Sequence, residues 1–192
     1  MSNDPVYGGF WRRFAALFLD GLAFSPLAAL FIWADGRTRF SQLYFLLPNI
    51  MLSLFYSVYL VQRFGGTPGK LIMDLRITKL DGSRVGFREA ALRCLPSFVF
   101  AECLAFGSIY ASLHMTDIEN QGLSFMARAA RRTELAPQWS RACDFTNNIW
   151  TWSEFVVLLT NKKKRALHDF LAGTVVVRNR LTTALTRRQA AG

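Results

Sequence analysis

Two long stretches without a usable polar face constrain this chain more than anything else in it. Residues 14–34 hold one charge, Asp20, and residues 40–61 hold none. An α-helix of 21 residues rises about 31 Å, the thickness of the hydrocarbon core of a bilayer. Helices in small water-soluble domains keep a polar face, and these two do not. A third stretch, 95–115, is broken only by Glu102, and a weaker fourth, 147–160, carries Glu154. The expected fold is therefore an all-α integral membrane protein with a bundle of four transmembrane helices, or three if 147–160 does not cross. The membrane domain is expected over 1–180 and a basic tail over 181–192.

The first stretch reads as a span and not as a cleaved leader. It is too long, it contains an Asp, and no A-x-A site follows before Asp35. Trp11 and Trp33 bracket it, and Trp150 and Trp152 open the fourth, as expected of amphipathic rings at headgroup level. The net charge is +10. With four spans, 17 of the 23 Lys and Arg fall on the side holding both termini and the 62–93 loop. The other side holds six: Arg37, Arg39, Arg128, Arg131, Arg132 and Arg141. That asymmetry predicts that both termini lie in the cytoplasm. It also explains the charge through anionic lipid headgroups, at roughly 1 kcal/mol per basic residue near the surface. No nucleic-acid-binding signature is present, so nucleic acid is not an expected partner.

Between the spans, Leu75, Ile77 and Leu80 line up with β-branched and polar residues between them, ahead of an Asp81-Gly82 turn, which predicts a small cytosolic β-hairpin. The valine-rich run 173–177 is a candidate third strand. Residues 122–132 read as an interfacial amphipathic helix, with Leu123, Met126, Ala127 and Ala130 on one side and Arg128, Arg131 and Arg132 on the other.

Signals for chemistry are few. Cys94, Cys103 and Cys143 are odd in number and lack C-x-x-C spacing, so they read as buried apolar residues. His114 and His168 are too few for a dedicated metal or haem site, and no cofactor is expected. Residues 65–70 fall one short of P-loop spacing, and Leu71 stands where that loop needs Ser or Thr. Neither G-x-S-x-G nor H-E-x-x-H occurs. A non-enzymatic protein is expected.

The informative residues are charges expected inside the membrane: Asp20, Glu102 and Glu154. Such groups face the bundle and find partners. Arg13 and Asp20 are seven apart, which places both on one helix face about two turns from each other. Each must then pair elsewhere. Candidates for Asp20 are polar groups in the other spans, such as Asn49, Tyr56 and Tyr59, or water in a cavity. For Arg13 the foremost candidate is Asp169, beside His168.

Three runs carry a resemblance. The first is Tyr7-Gly8-Gly9-Phe10-Trp11-Arg12-Arg13, continuing to Asp20. The second is Gly65-Gly66-Thr67-Pro68-Gly69-Lys70-Leu71 with Leu75-Arg76-Ile77. The third is Arg165-Ala166-Leu167-His168-Asp169-Phe170-Leu171-Ala172-Gly173. In this order they resemble the RDD family of small bacterial multi-pass membrane proteins. The family is named for one Arg and two Asp, which match Arg13, Asp20 and Asp169 here, with Arg12 the alternative for the Arg. Asp74 departs from the pattern, where Gly is expected, and 117–145 carries no family motif. The resemblance implies a multi-pass protein of the bacterial inner membrane, of a family for which transport of ions or small solutes is proposed and cation/proton antiport is suggested for some members.

Two functions follow as expectations. One is a transport element using Asp20 and Glu102 as titrating groups, which would need self-association because four spans enclose little space. The other is an accessory subunit or assembly factor that docks on other membrane proteins through aromatic faces. Arg13 and Asp169 are expected to form a structural lock.

Overall fold

A computed structural model describes residues 7–179; the basic tail expected at 181–192 lies outside them. The chain is mostly helical. Gly8 and Gly9 precede α1 (Phe10–Asp35), and Gly36 follows it. Next come α2 (Ser41–Leu54), a π-helical turn (Phe55–Tyr59) and α3 (Leu60–Phe64). Gly65, at φ 83°, closes α3 in the left-handed region where glycine pays no Cβ penalty. The short α4 (Pro68–Ile72) has proline at its first position, where the missing N–H is harmless. Then follow β1 (Leu75–Lys79), α5 (Phe87–Leu113), α6 (Asp117–Gly122), α7 (Phe125–Leu135), α8 (Gln138–Thr160), α9 (Leu167–Leu171) and β2 (Thr174–Arg178). Three side chains mark helix starts. Thr116 accepts from Glu119 N, Ser124 accepts from Ala127 N, and Glu89 reaches back to Gly86 N.

Three helical segments, Phe10–Asp35, Ser41–Ile72 and Phe87–Leu113, are long and apolar enough to cross a membrane. Their large side chains point outward: Phe14, Leu17, Phe18, Leu47, Met51, Phe55, Val99 and Phe106 are all exposed. An apolar surface of that extent is stable against lipid and not against water. The fourth expected span is one long helix, α8, starting nine residues earlier than its apolar stretch. Its first half carries Gln138, Arg141, Asp144, Asn147 and Asn148, which dilute its hydropathy below that of the other three.

The chain forms two compact units. In the first, built from residues 7–23, 54–95 and 151–179, β1 pairs antiparallel with β2, Leu75 opposite Arg178 and Lys79 opposite Thr174. Tyr7 bridges Val177 on the other side of β2. The core of this unit is Ala16, Val58, Val61, Leu75, Ile77, Val85, Ala90 and Val176. The expected hairpin is reduced. The Asp81-Gly82 turn forms, with Gly82 N donating to Lys79 O at 3.0 Å and Lys79 N to Ser83 O at 3.0 Å, but past it the described residues show a single bridge, Thr78 to Arg84, and no second strand. Val175, Val176 and Val177 are all buried and offer β1 an apolar partner, whereas Leu80, in the turn itself, is exposed. Asp74, which replaces the expected Gly, sits at φ 61°. Asp is among the few L-residues that adopt this region readily.

The second unit comprises residues 24–53 and 96–150. There α7 departs from the expected interfacial helix. Arg128 and Arg132 are buried, while Phe125 and Met126 are exposed. The basic face turns inward because an acceptor awaits it there, as described next.

Candidate functional site

The first unit gathers charge around Asp169, which is fully buried. The five-residue α9 places this carboxylate at its third position, where Oδ2 accepts from Ala166 N at 3.0 Å and caps the helix start. The same oxygen accepts from Arg13 Nη1 at 3.0 Å, and Oδ1 accepts from Arg93 Nη1 and from Thr174 Oγ1. Arg13 also donates from Nε to Gly8 O at 3.0 Å and from Nη2 to Lys164 O at 2.5 Å. Arg93 also donates to Thr174 Oγ1 at 3.1 Å. Arg165 donates to the carbonyls of Thr174 and Asp169 and lies 4.0 Å over the Phe170 ring. One carboxylate thus ties α1, α5, α9 and β2 together through two guanidinium groups.

The structure pairs Arg13 with Asp169 as the sequence suggests. Arg12, the alternative, goes elsewhere and donates to Met73 O at 3.4 Å. Arg93 was not anticipated as a second partner. Its signal was present in outline, as a lone Arg just ahead of an apolar stretch, but nothing local ties it to a residue 76 positions away.

Asp20 is not part of that cluster. Its carboxylate accepts from the Tyr56 hydroxyl, from Thr67 Oγ1 at 2.6 Å and from Gly69 N at 2.6 Å. Thr67 precedes α4 and has no side-chain bond to its own helix. Asp20, projecting from α1, does that work instead and caps α4 from outside. The π-helical turn bears Tyr56, one of the three candidates named for Asp20; Thr67 and Gly69 were not among them. All three partners are donors, an arrangement that suits an anion held in place and opposes a bound cation.

His168 and Glu154 meet in the same unit. Nδ1 lies 2.5 Å from Glu154 Oε1, and Nε2 lies 3.7 Å from Asp169 Oδ1. Burial and the nearby Arg93 push the imidazole down to about 4, while Glu154 pulls the other way. A neutral ring then donates its Nδ1 proton to the carboxylate. The unfolded chain takes up this proton first, near the ordinary value of 6.5. The His168 contribution is therefore intact above pH 6.5, is lost as pH falls toward 4, and changes no further below that. His168→Gln should flatten this part of the melting-temperature profile relative to the native protein; superimposable profiles would contradict the assignment.

A second charged centre lies in the other unit and was missed by the sequence reading. Asp35, at the end of α1, is buried. It accepts from Ser41 Oγ at 2.9 Å, Arg128 Nε at 3.3 Å and Arg132 Nη1 at 3.0 Å. Its backbone carbonyl accepts from Asn120 Nδ2 at 2.9 Å, and Asn120 Oδ1 accepts from Arg132 Nη2 at 3.2 Å. The four-residue spacing of Arg128 and Arg132 put them on one helix face, which was legible; that the face turned inward was not. Outside this knot, the Arg131 guanidinium holds Glu119 below the usual carboxylate range across 2.7 Å.

Glu102, in α5, differs from the other acids. Its Oε2 is buried and makes no hydrogen bond. Among the described residues, no group of three or more His, Cys, Asp and Glu is placed to hold a metal ion.

Long outward-facing apolar helices, tied by buried Arg–Asp contacts to a small two-stranded sheet, define a helical membrane protein with an electrostatic fastening near its N-terminus. Residues 7–173 match the RDD family, and the chain belongs to it. Arg13, Asp20 and Asp169, the three residues singled out from the sequence, lie in two separate hydrogen-bonded groups. A Bacillus subtilis (strain 168) protein described as "Uncharacterized protein YckC" is 34% identical over 174 residues, covering 88% of this chain and 82% of its own.

Proposed function

We propose that this RDD-family membrane protein is a proton- or cation-coupled transport element of the cytoplasmic membrane, with Glu102 as its titrating group. The supporting observation is the unpartnered Oε2 of Glu102 within an apolar helix. A carboxylate without donors is strongly disfavoured in hydrocarbon and takes up a proton instead. It can release that proton only when water or a cation reaches it, which is what a coupled pathway requires. Asp20, the other expected titrating group, already holds three donors and acts as a cap for α4. Arg13 and Asp169 fasten the fold and carry no solute.

In this reading α8 is the fourth crossing, both termini face the cytoplasm, and the basic residues on that side rest against anionic headgroups. The protein is non-enzymatic and self-associates, since so few helices do not enclose a path alone.

Purified protein in lipid vesicles loaded with a pH-sensitive dye provides the test. An imposed sodium or potassium gradient should move protons through the native protein, and Glu102→Gln should fall to the leak of protein-free vesicles while keeping its elution position and melting temperature. Native-like flux in Glu102→Gln, or no flux in the native protein, would sink the proposal. The second reading, an accessory subunit, rests on the exposed aromatic rows of α1 and α8 (Trp11, Phe14, Phe18, Trp152, Phe155). It is favoured if gentle solubilisation retains a stoichiometric membrane partner and vesicles show no flux.

A further inference from the structure

The three cysteines have no role in the sites above, and two of them have come together. Cys103 lies on α5 and Cys143 on α8, 40 residues apart in sequence, and their thiols are neighbours. The helix packing around them explains the meeting. One turn beyond Cys103, a Cβ on Gly107 would fall 2.6 Å from Ser140 Cβ, so the α5 backbone runs hard against α8 at that point. Ser140 is buried and stands one turn before Cys143. On the other side of the cysteines, Phe100 and Trp150 lie 6.4 Å apart. The contacts Gly107–Ser140, Cys103–Cys143 and Phe100–Trp150 run in opposite chain directions, the pattern of an antiparallel helix pair. A glycine at the crossing permits the close backbone approach, and a disulfide needs Cα atoms only about 4.4–6.8 Å apart. Cys94 lies in the other unit.

We infer that Cys103 and Cys143 are a redox pair, closing to a disulfide that clamps α5 to α8. The reaction is thiol–disulfide exchange with a disulfide-bearing oxidoreductase or small disulfide. One cysteine loses its proton, and its thiolate attacks the donor disulfide, releasing one donor thiolate. The second cysteine, deprotonated in turn, displaces the other donor sulfur. The two cysteines lose two electrons and two protons, and the donor becomes two thiols. The closed loop contains all of α6 and α7, including Arg128 and Arg132 that hold Asp35. Closing it restrains that charged knot, and opening it restores the slack. In the orientation proposed above, the pair lies toward the outer half of α5 and the start of α8, the side where disulfides persist.

The test uses full-length protein in detergent and the reagent diamide, whose N=N bond accepts the two protons and two electrons. The native protein should lose the mass of two hydrogens and both alkylatable thiols at Cys103 and Cys143, and a cross-linked peptide should contain both. Dithiothreitol should reverse this. Cys94→Ser should behave as the native protein does, whereas Cys103→Ser and Cys143→Ser should give no intrachain bond. The peptide map of the native protein decides the matter even if a variant misfolds. Persistent alkylation at both positions, a bond to Cys94, or only interchain bonds would overturn the inference. Because no flux is measured, this outcome is independent of the role assigned to Glu102.

Discussion

Asp169→Ala should cost about 3–5 kcal/mol of stability, the penalty typical of removing one partner from a buried ion pair. The substitution leaves two guanidinium groups, Arg13 and Arg93, without their shared anion, and strips α9 of its cap at Ala166 N. Melting temperature and yield of monodisperse protein in detergent should both fall sharply. Double-mutant cycles resolve the two arms. Combining Arg13→Ala with Asp169→Ala should lose less than the sum of the single changes, with a coupling on the order of 0.5–3 kcal/mol, and Arg93→Ala with Asp169→Ala should do likewise. Neither double variant should recover native stability, because one arginine stays orphaned in each. A simple Arg13–Asp169 pair, the sequence expectation, would instead allow the Arg13→Ala/Asp169→Ala protein to recover most of the loss. Additive losses in both cycles would refute the network.

Gly69→Ala is the second large effect. A methyl group at this position would collide with the Ala16 carbonyl and would lie 2.6 Å from Asp20 Oδ1. The obstacle at Ala16 is backbone, so relief requires α4 to move away from α1. That movement also pulls Gly69 N and Thr67 away from Asp20. Overpacking of this kind costs roughly 1–3 kcal/mol before the lost hydrogen bonds are included. Asp20→Asn is the informative contrast. An asparagine oxygen can still accept from Tyr56 and Gly69 N, and the Thr67 hydroxyl can rotate to accept from the new amide. Its cost should be nearer 1 kcal/mol, the value of one good hydrogen bond. If Asp20→Asn unfolds the protein while Gly69→Ala melts like the native chain, the capping account of Asp20 is wrong.

The family match adds a constraint to these expectations. Arg13, Asp20 and Asp169 act through two separate groups, one around Asp169 and one around Asp20, and both join the first half of α1 to elements far along the chain. Losing either disconnects α1 from its neighbours, so variants at these positions mix folding defects with any loss of transport. Glu102 has no such structural duty in its described contacts, and for that reason the vesicle experiment is placed there.

Legibility differed from one feature to the next, for identifiable reasons. The apolar lengths of 14–34, 40–61 and 95–115 announced three membrane-crossing helices, since a bilayer of fixed thickness demands some twenty apolar residues however the rest folds. The 147–160 stretch announced a helix but hid its polar first half. Arg13 facing Asp169 was legible because a base at the edge of a span needs an acid, and acids near that membrane face are few. Arg93 as a second base, the capping of α4 by Asp20, and the Asp35 knot were not legible. Each depends on the register in which distant elements pack, and helical periodicity says nothing of that register.

What the sequence determined on its own was the solvent: uncharged helices of bilayer length belong in lipid, and the few charges among them must be neutralised or paired. What the tertiary structure alone decided was the pairing. Two guanidinium groups converged on one carboxylate, a helix cap came from another helix, and a glycine at the α5–α8 crossing brought two thiols into contact. The physical reason is range. Burial in lipid is a property of each segment by itself, whereas a hydrogen bond exists only when two segments arrive within about 3 Å of each other.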